Sequence, residues 1–69
     1  MSYFSDRLTE IIKLNHYSQT FVAAKLHTTQ QTISNWMNGV YEPSLGQLVI
    51  LCKLLDVTPN DLLGFSDFS

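Results

Sequence analysis

Residues 28–39 read TTQQTISNWMNG: two adjacent glutamines, four hydroxyl side chains and one tryptophan, with no charged group among them. At about 100° per residue, Ile33, Trp36 and Met37 stand at i, i+3 and i+4 and form one apolar stripe. Gln31, Asn35 and Asn38 line up on the opposite side with Ser34 beside them, and Gln30 lies at the helix tip. Thr29 is placed to cap the helix, because its hydroxyl can accept one of the N–H groups that the first turn leaves unpaired. Gly39 occupies the position where a helix end takes a left-handed residue. The stretch therefore predicts a helix with an apolar back, Trp36 included, and an amide-and-hydroxyl front.

The neighbouring segments follow the same period. Upstream, Ser18 can cap a short helix that turns Val22, Ala23 and Leu26 inward, and only His27-Thr28-Thr29 separates it from the helix just described, so the two must meet at a tight turn. Before it, Leu8, Ile11 and Ile12 recur at helical spacing, with Leu14 and Tyr17 continuing the apolar set. Ser5 as N-cap and Asp6 in the first turn place that helix at about 6–14, closed by Asn15-His16. Downstream, an irregular segment leads to Ser44 and a fourth helix over 45–55, whose Leu48, Leu51, Cys52 and Leu55 face one way. Gly46 weakens its first turn slightly. Thr58, Pro59 and Asp61 then signal a fifth helix of little more than a turn, ending at Gly64. With no strand alternation and no repeat, the expected fold is all-α: five short helices around one core, over residues 1–64, followed by a short tail over 65–69.

A chain of 69 residues with 45% apolar and 14% charged residues has the material for one core and not for two. Cys52, the single cysteine, excludes an internal disulfide and reads as a buried thiol between Leu51 and Leu54. No apolar run approaches the roughly 18 residues of a membrane span, and no signal-peptide pattern opens the chain, so a cytoplasmic location without membrane contact is expected. His16 and His27 have no partners at metal-ligand spacing, and no phosphate loop or nucleophile elbow occurs, so neither an enzyme nor a cofactor is expected.

The net charge of −2 stands against a generic polyanion binder, but its distribution does not. Residues 11–41 contain no Asp or Glu, only Lys13, Lys25 and the two histidines. All six acids lie outside that segment. One face can thus meet a polyanion while the others avoid it. Amide side chains such as those of the 28–39 helix make bidentate hydrogen bonds to the N6 and N7 edge of adenine without needing charge.

From Ser18 to Pro43 the chain reads SQTFVAAKLHTTQQTISNWMNGVYEP, which resembles the Cro and cI-type phage repressor helix-turn-helix, a lambda repressor-like family widespread among bacterial regulators. Ser18-Gln19, Val22-Ala23, Ile33-Ser34, Trp36, Gly39 and Pro43 occupy the places of that pattern, and LCKLLDVTPNDLLG resembles its closing helices. The resemblance implies that Gln30, Gln31, Ser34 and Asn35 face base edges, while Gln19 approaches a phosphate and braces a side chain of the reading helix. The resemblance also sets the loop from Asn38 to Tyr41 against phosphates; Tyr41 reads equally as a loop anchor, and Lys25 reads either as a further phosphate contact or as a solvated charge. Two departures stand out. The turn glycine is His27, which must take φ > 0. A buried glutamate–arginine pair is replaced by Met37 and Ile12, which are expected to touch as an apolar substitute.

The function implied is a sequence-specific DNA-binding regulator, a repressor of phage or mobile-element type, reading operator half-sites in the major groove with its third helix. A homodimer on DNA is expected, with Leu62, Leu63, Phe65 and Phe68 as candidate self-contacts; the plainer reading is that the leucines finish the core. The alternative is a protein-interaction module of the same fold, such as an antitoxin or a regulator controlled by a partner protein. The overall acidity favours that alternative.

Overall fold

In a computed structural model, described here for residues 3–64, the chain forms five helices: α1 (Tyr3–Leu14), α2 (Gln19–Lys25), α3 (Gln30–Met37), α4 (Leu45–Leu55) and α5 (Pro59–Leu63). No strand occurs among the described residues. Four of the helices open on a hydroxyl cap: Ser18, Thr29, Ser44 and Thr58 accept from the backbone N–H of Phe21, Thr32, Gln47 and Asp61 respectively. At Ser44 the cap is reciprocal, with the Gln47 side chain accepting from the Ser44 N–H at 2.9 Å.

All five helices end in the same way. His16, His27, Gly39, Asp56 and Gly64 take φ between +55° and +77°, and they are the residues that follow or close the five helices. At the first four, the next N–H reaches back to a carbonyl five residues earlier: Tyr17 to Ile12 at 3.1 Å, Thr28 to Ala23 at 2.9 Å, Val40 to Asn35 at 2.9 Å and Val57 to Cys52 at 3.0 Å. This is the Schellman closure, and it satisfies carbonyls that a helix end otherwise leaves unpaired. The expected positive φ of His27 is present at +55°; those of His16 and Asp56 carry no glycine signal in the sequence.

The core gathers one stripe from each helix: Phe4, Leu8, Ile11 and Ile12; Val22 and Ala23; Ile33, Trp36 and Met37; Leu48, Leu51, Cys52 and Leu55; and Leu62. Ile12 and Met37 belong to this same cluster, in keeping with the apolar replacement of an ion pair. Trp36, 2% exposed, is part of the core as its stripe requires. The Thr9 hydroxyl lies 2.8 Å from the Ser5 carbonyl and 3.3 Å from the Met37 carbonyl, tying the body of α1 to the end of α3. At the far end, Gly64 abuts the Tyr3 ring so closely that a Cβ there would stand 2.9 Å from it, which seats the end of α5 on the start of α1.

Three expectations are corrected. Ser5 is not the N-cap of α1: the helix already includes Tyr3, and Ser5 is a fully buried residue inside it. Leu14, 69% exposed, leaves the core because the chain turns away at His16 before another turn of α1 can bury it. Leu62 is fully buried and cannot be a self-contact, whereas Leu63 is partly exposed; Phe65 and Phe68 lie outside the described residues. Cys52 is buried as expected, and that burial pushes its thiol above the usual range.

Two measurements check these points. His27→Gly should raise stability by about 0.5 kcal/mol, the relief of a left-handed non-glycine residue less the extra freedom of the unfolded chain, whereas the β-branched His27→Val should lower it by about 1–2 kcal/mol. Equal urea midpoints for the two variants would contradict the strain argument. Thiol titration at pH 8 should find Cys52 unreactive until the chain is unfolded; fast native labelling would show an open core.

Candidate nucleic-acid interface

Helix α3 packs its apolar stripe on α1 and α2 and leaves its other side to solvent. Gln30 and Gln31 are exposed, Ser34 and Asn35 half-buried and Asn38 exposed, so the expected readers share one face. Side-chain hydrogen bonds along the helix order that face. Gln31 Nε2 donates to Asn35 Oδ1 at 3.1 Å, and Asn38 Nδ2 donates to Ser34 Oγ at 3.2 Å, both one turn apart. Thr29 and Thr32 pair their hydroxyls at 3.0 Å at the helix start.

The two helices of the turn are joined by a side-chain bond as well as by the backbone. Gln30 Nε2 donates to Gln19 Oε1 at 2.8 Å, across eleven residues, so the first residue of α2 holds the first residue of α3. Gln30 retains its amide oxygen and a second N–H hydrogen, the donor–acceptor pair that suits an adenine edge. The brace expected of Gln19 is thus present in the free chain.

The local field favours an anion. Neither α2 nor α3 has an acid in its first turn, so the partial positive charge of each N-terminus is left uncancelled. Tyr41 is exposed in the loop between α3 and α4, next to the Ser44 cap.

Lys25 is placed differently from the other expected phosphate contacts. Its Nζ lies 5.4 Å from the centre of the Phe21 ring, and Phe21 in turn stacks on Tyr17 with centroids 4.9 Å apart. Six residues after Gln19, Lys25 lies about 120° around α2 from it. The signal for this stack was present in the sequence as the four-residue spacing of Tyr17, Phe21 and Lys25. Among the described residues no group of three or more His, Cys, Asp or Glu side chains gathers as a metal site.

Comparison with known proteins agrees with this geometry. A helix-turn-helix family model matches residues 8–62, and the chain belongs to that family, one of DNA-binding regulators and not of enzymes. The HTH-type transcriptional regulator AnsR of Bacillus subtilis (strain 168) is 37% identical over 59 residues, which cover 86% of this chain and 51% of that protein. Among solved structures, a transcriptional regulator from Listeria innocua superposes with a TM-score of 0.87 at 20% identity, over 96% of this chain and 62% of that one. The SOS-response transcriptional repressor LexA from Eubacterium rectale superposes with a TM-score of 0.84 at 23% identity, over 96% and 70%. These two likenesses show the all-helical fold. The chain spans about half the length of the curated relative. None of its described helices is long and apolar enough to cross a membrane.

Removing the brace tests the interface. In Gln19→Ala the Gln30 amide loses its partner and the phosphate contact expected of Gln19 goes with it, so DNA affinity should fall at least about tenfold, with the melting temperature nearly unchanged. An unaltered affinity would show that the bond does not prepare Gln30 for DNA.

Proposed function

We propose that the chain is a sequence-specific double-stranded DNA-binding transcriptional regulator of the cytoplasm, a repressor of phage or mobile-element type that occupies its operator and excludes polymerase. The observation that carries this reading is the ordered amide face of α3, with Gln30 held by Gln19 and Gln31 by Asn35. In this role Gln30, Gln31, Ser34 and Asn35 address base edges in the major groove. Gln19, Asn38 and Tyr41 meet phosphates together with the N–H groups at the starts of α2 and α4. Lys25 adds electrostatic attraction from the rim of the interface, its ammonium steadied over Phe21.

The mechanism follows from the scarcity of charge. A binder with few cations releases few counterions, so grip comes from backbone donors and neutral amides, and selectivity comes from direct base contacts. One domain of this size covers too little DNA to be both tight and selective, so two copies act on half-sites about 34 Å apart.

Selection of bound duplexes from a random pool, followed by sequencing, tests the whole reading; recovery of no preferred sequence at low salt would reject it. On the selected site, Gln31→Ala should relax preference at one base pair by about 1–3 kcal/mol, whereas Lys25→Ala should weaken all sites alike. A uniform loss for Gln31→Ala would assign the reading elsewhere. The dependence of affinity on salt should be shallow, and a steep one would reveal cationic contacts outside this set.

A further inference from the structure

The bond between Gln31 and Asn35 changes what each can offer to a base. Gln31 Nε2 donates to Asn35 Oδ1 at 3.1 Å, and each side chain carries one carbonyl oxygen and two amide hydrogens. The shared bond uses one hydrogen and turns one oxygen along the helix, so the pair presents three donors and one acceptor outward. As bonded, Gln31 keeps its oxygen and one N–H, whereas Asn35 keeps two N–H groups and no outward acceptor. Reversing the bond exchanges these roles between the two residues and leaves the total unchanged. Gln30, held across the turn by Gln19, shares no bond with this pair among the described residues. In the major groove adenine offers one donor and one acceptor, and guanine offers two acceptors and no donor. An amide that keeps its oxygen suits adenine, and one that presents only hydrogens suits guanine.

We propose that Gln31 and Asn35 read DNA as one unit, so that adenine at the base pair met by one of them goes with guanine at the base pair met by the other. The unit rests on the DNA-reading role above; the pairing of bases rests on the shared bond alone. Side chains one turn apart on a helix have Cβ atoms about 5–6 Å apart, wider than the roughly 3.4 Å step between stacked base pairs, so the two amides meet different pairs. Adenine at both pairs calls for two outward oxygens, and guanine at both calls for four outward hydrogens. Either combination breaks the Gln31–Asn35 bond. In the free chain that loss is small, because water replaces the missing partner. Against DNA the water is displaced and a polar group is left unpaired, so the penalty grows. Base preferences at the two pairs therefore do not combine independently. The neighbouring bond, from Asn38 Nδ2 to Ser34 Oγ at 3.2 Å, has only Ser34 on the base side and sets no such rule.

Competition titrations on the selected operator test the unit. Gln31→Ala and Asn35→Ala, by the base pair at which each relaxes preference, locate the two positions, and duplexes carrying every combination of bases there are then titrated against the wild-type chain. The product of the affinities for the adenine–guanine and guanine–adenine sites should exceed that for adenine–adenine and guanine–guanine at least about tenfold. In Gln31→Ala this coupling should vanish. Asn38→Ala should weaken all sites and leave the coupling intact. In Asn35→Asp the carboxylate can only accept, so Gln31 still donates to it and keeps adenine, while cytosine, through its N4 amine, should replace guanine at the other pair. Circular dichroism confirms that each variant is folded, and the wild-type titration decides the matter if one is not. Wild-type affinities that simply multiply across the two pairs overturn the proposal, as does a coupling that persists in Gln31→Ala, which would place its origin in the DNA. Recovery of no preferred sequence removes the DNA-reading role and the unit with it; an operator with independent preferences at the two pairs removes the unit alone.

Discussion

The geometry of α3 depends on one closure, the hydrogen bond from the Thr28 N–H to the Ala23 carbonyl at 2.9 Å. It ends α2 by a left-handed residue at His27 and delivers the chain, one residue later, to the Thr29 cap of α3. With only four residues between the helices, neither the angle nor the spacing of α2 and α3 is free to vary. The Gln30–Gln19 bond, the burial of Val22 and Ile33 in one core and the exposure of the amide face all require that angle. Histidine serves here at a cost of about 1 kcal/mol relative to glycine, small enough for a well-packed domain to carry.

The same economy governs the polar face. Asparagine and glutamine side chains are flexible, and fixing one on binding costs about 0.5–1.5 kcal/mol. Hydrogen bonds one turn apart on α3, together with the bond across the turn, restrict five of these amides, Gln19, Gln30, Gln31, Asn35 and Asn38, before any ligand arrives. A charged reader would be drawn to phosphate at long range. A braced amide acts only at contact, where hydrogen-bond direction distinguishes one base pair from another. The absence of charge from residues 28–39 is therefore consistent with a surface built for selectivity over attraction.

Much of this was legible along the chain because the signals are local. Hydroxyl caps at Ser18, Thr29, Ser44 and Thr58 act within one turn, and the Ile33-Trp36-Met37 stripe follows from helical period alone. The readings that failed concern residues whose surroundings come from distant segments. Ser5 has the chemistry of a cap, yet α1 continues through it and buries it. Leu14 has the spacing of a core residue, yet the chain turns at His16 and leaves it in solvent.

By itself the sequence determined the number and type of the helices, the tight turn between the second and third, and which side of the third carries amides, because caps, period and left-handed ends depend on neighbours within about five residues. Only the tertiary structure decided that Gln19 and Gln30 bond across that turn, that Leu62 is core, and that Val49 and Ile50 remain uncovered on α4. Those outcomes depend on how helices far apart in the chain pack against one another, and a side chain's exposure is set by that packing and not by its own chemistry.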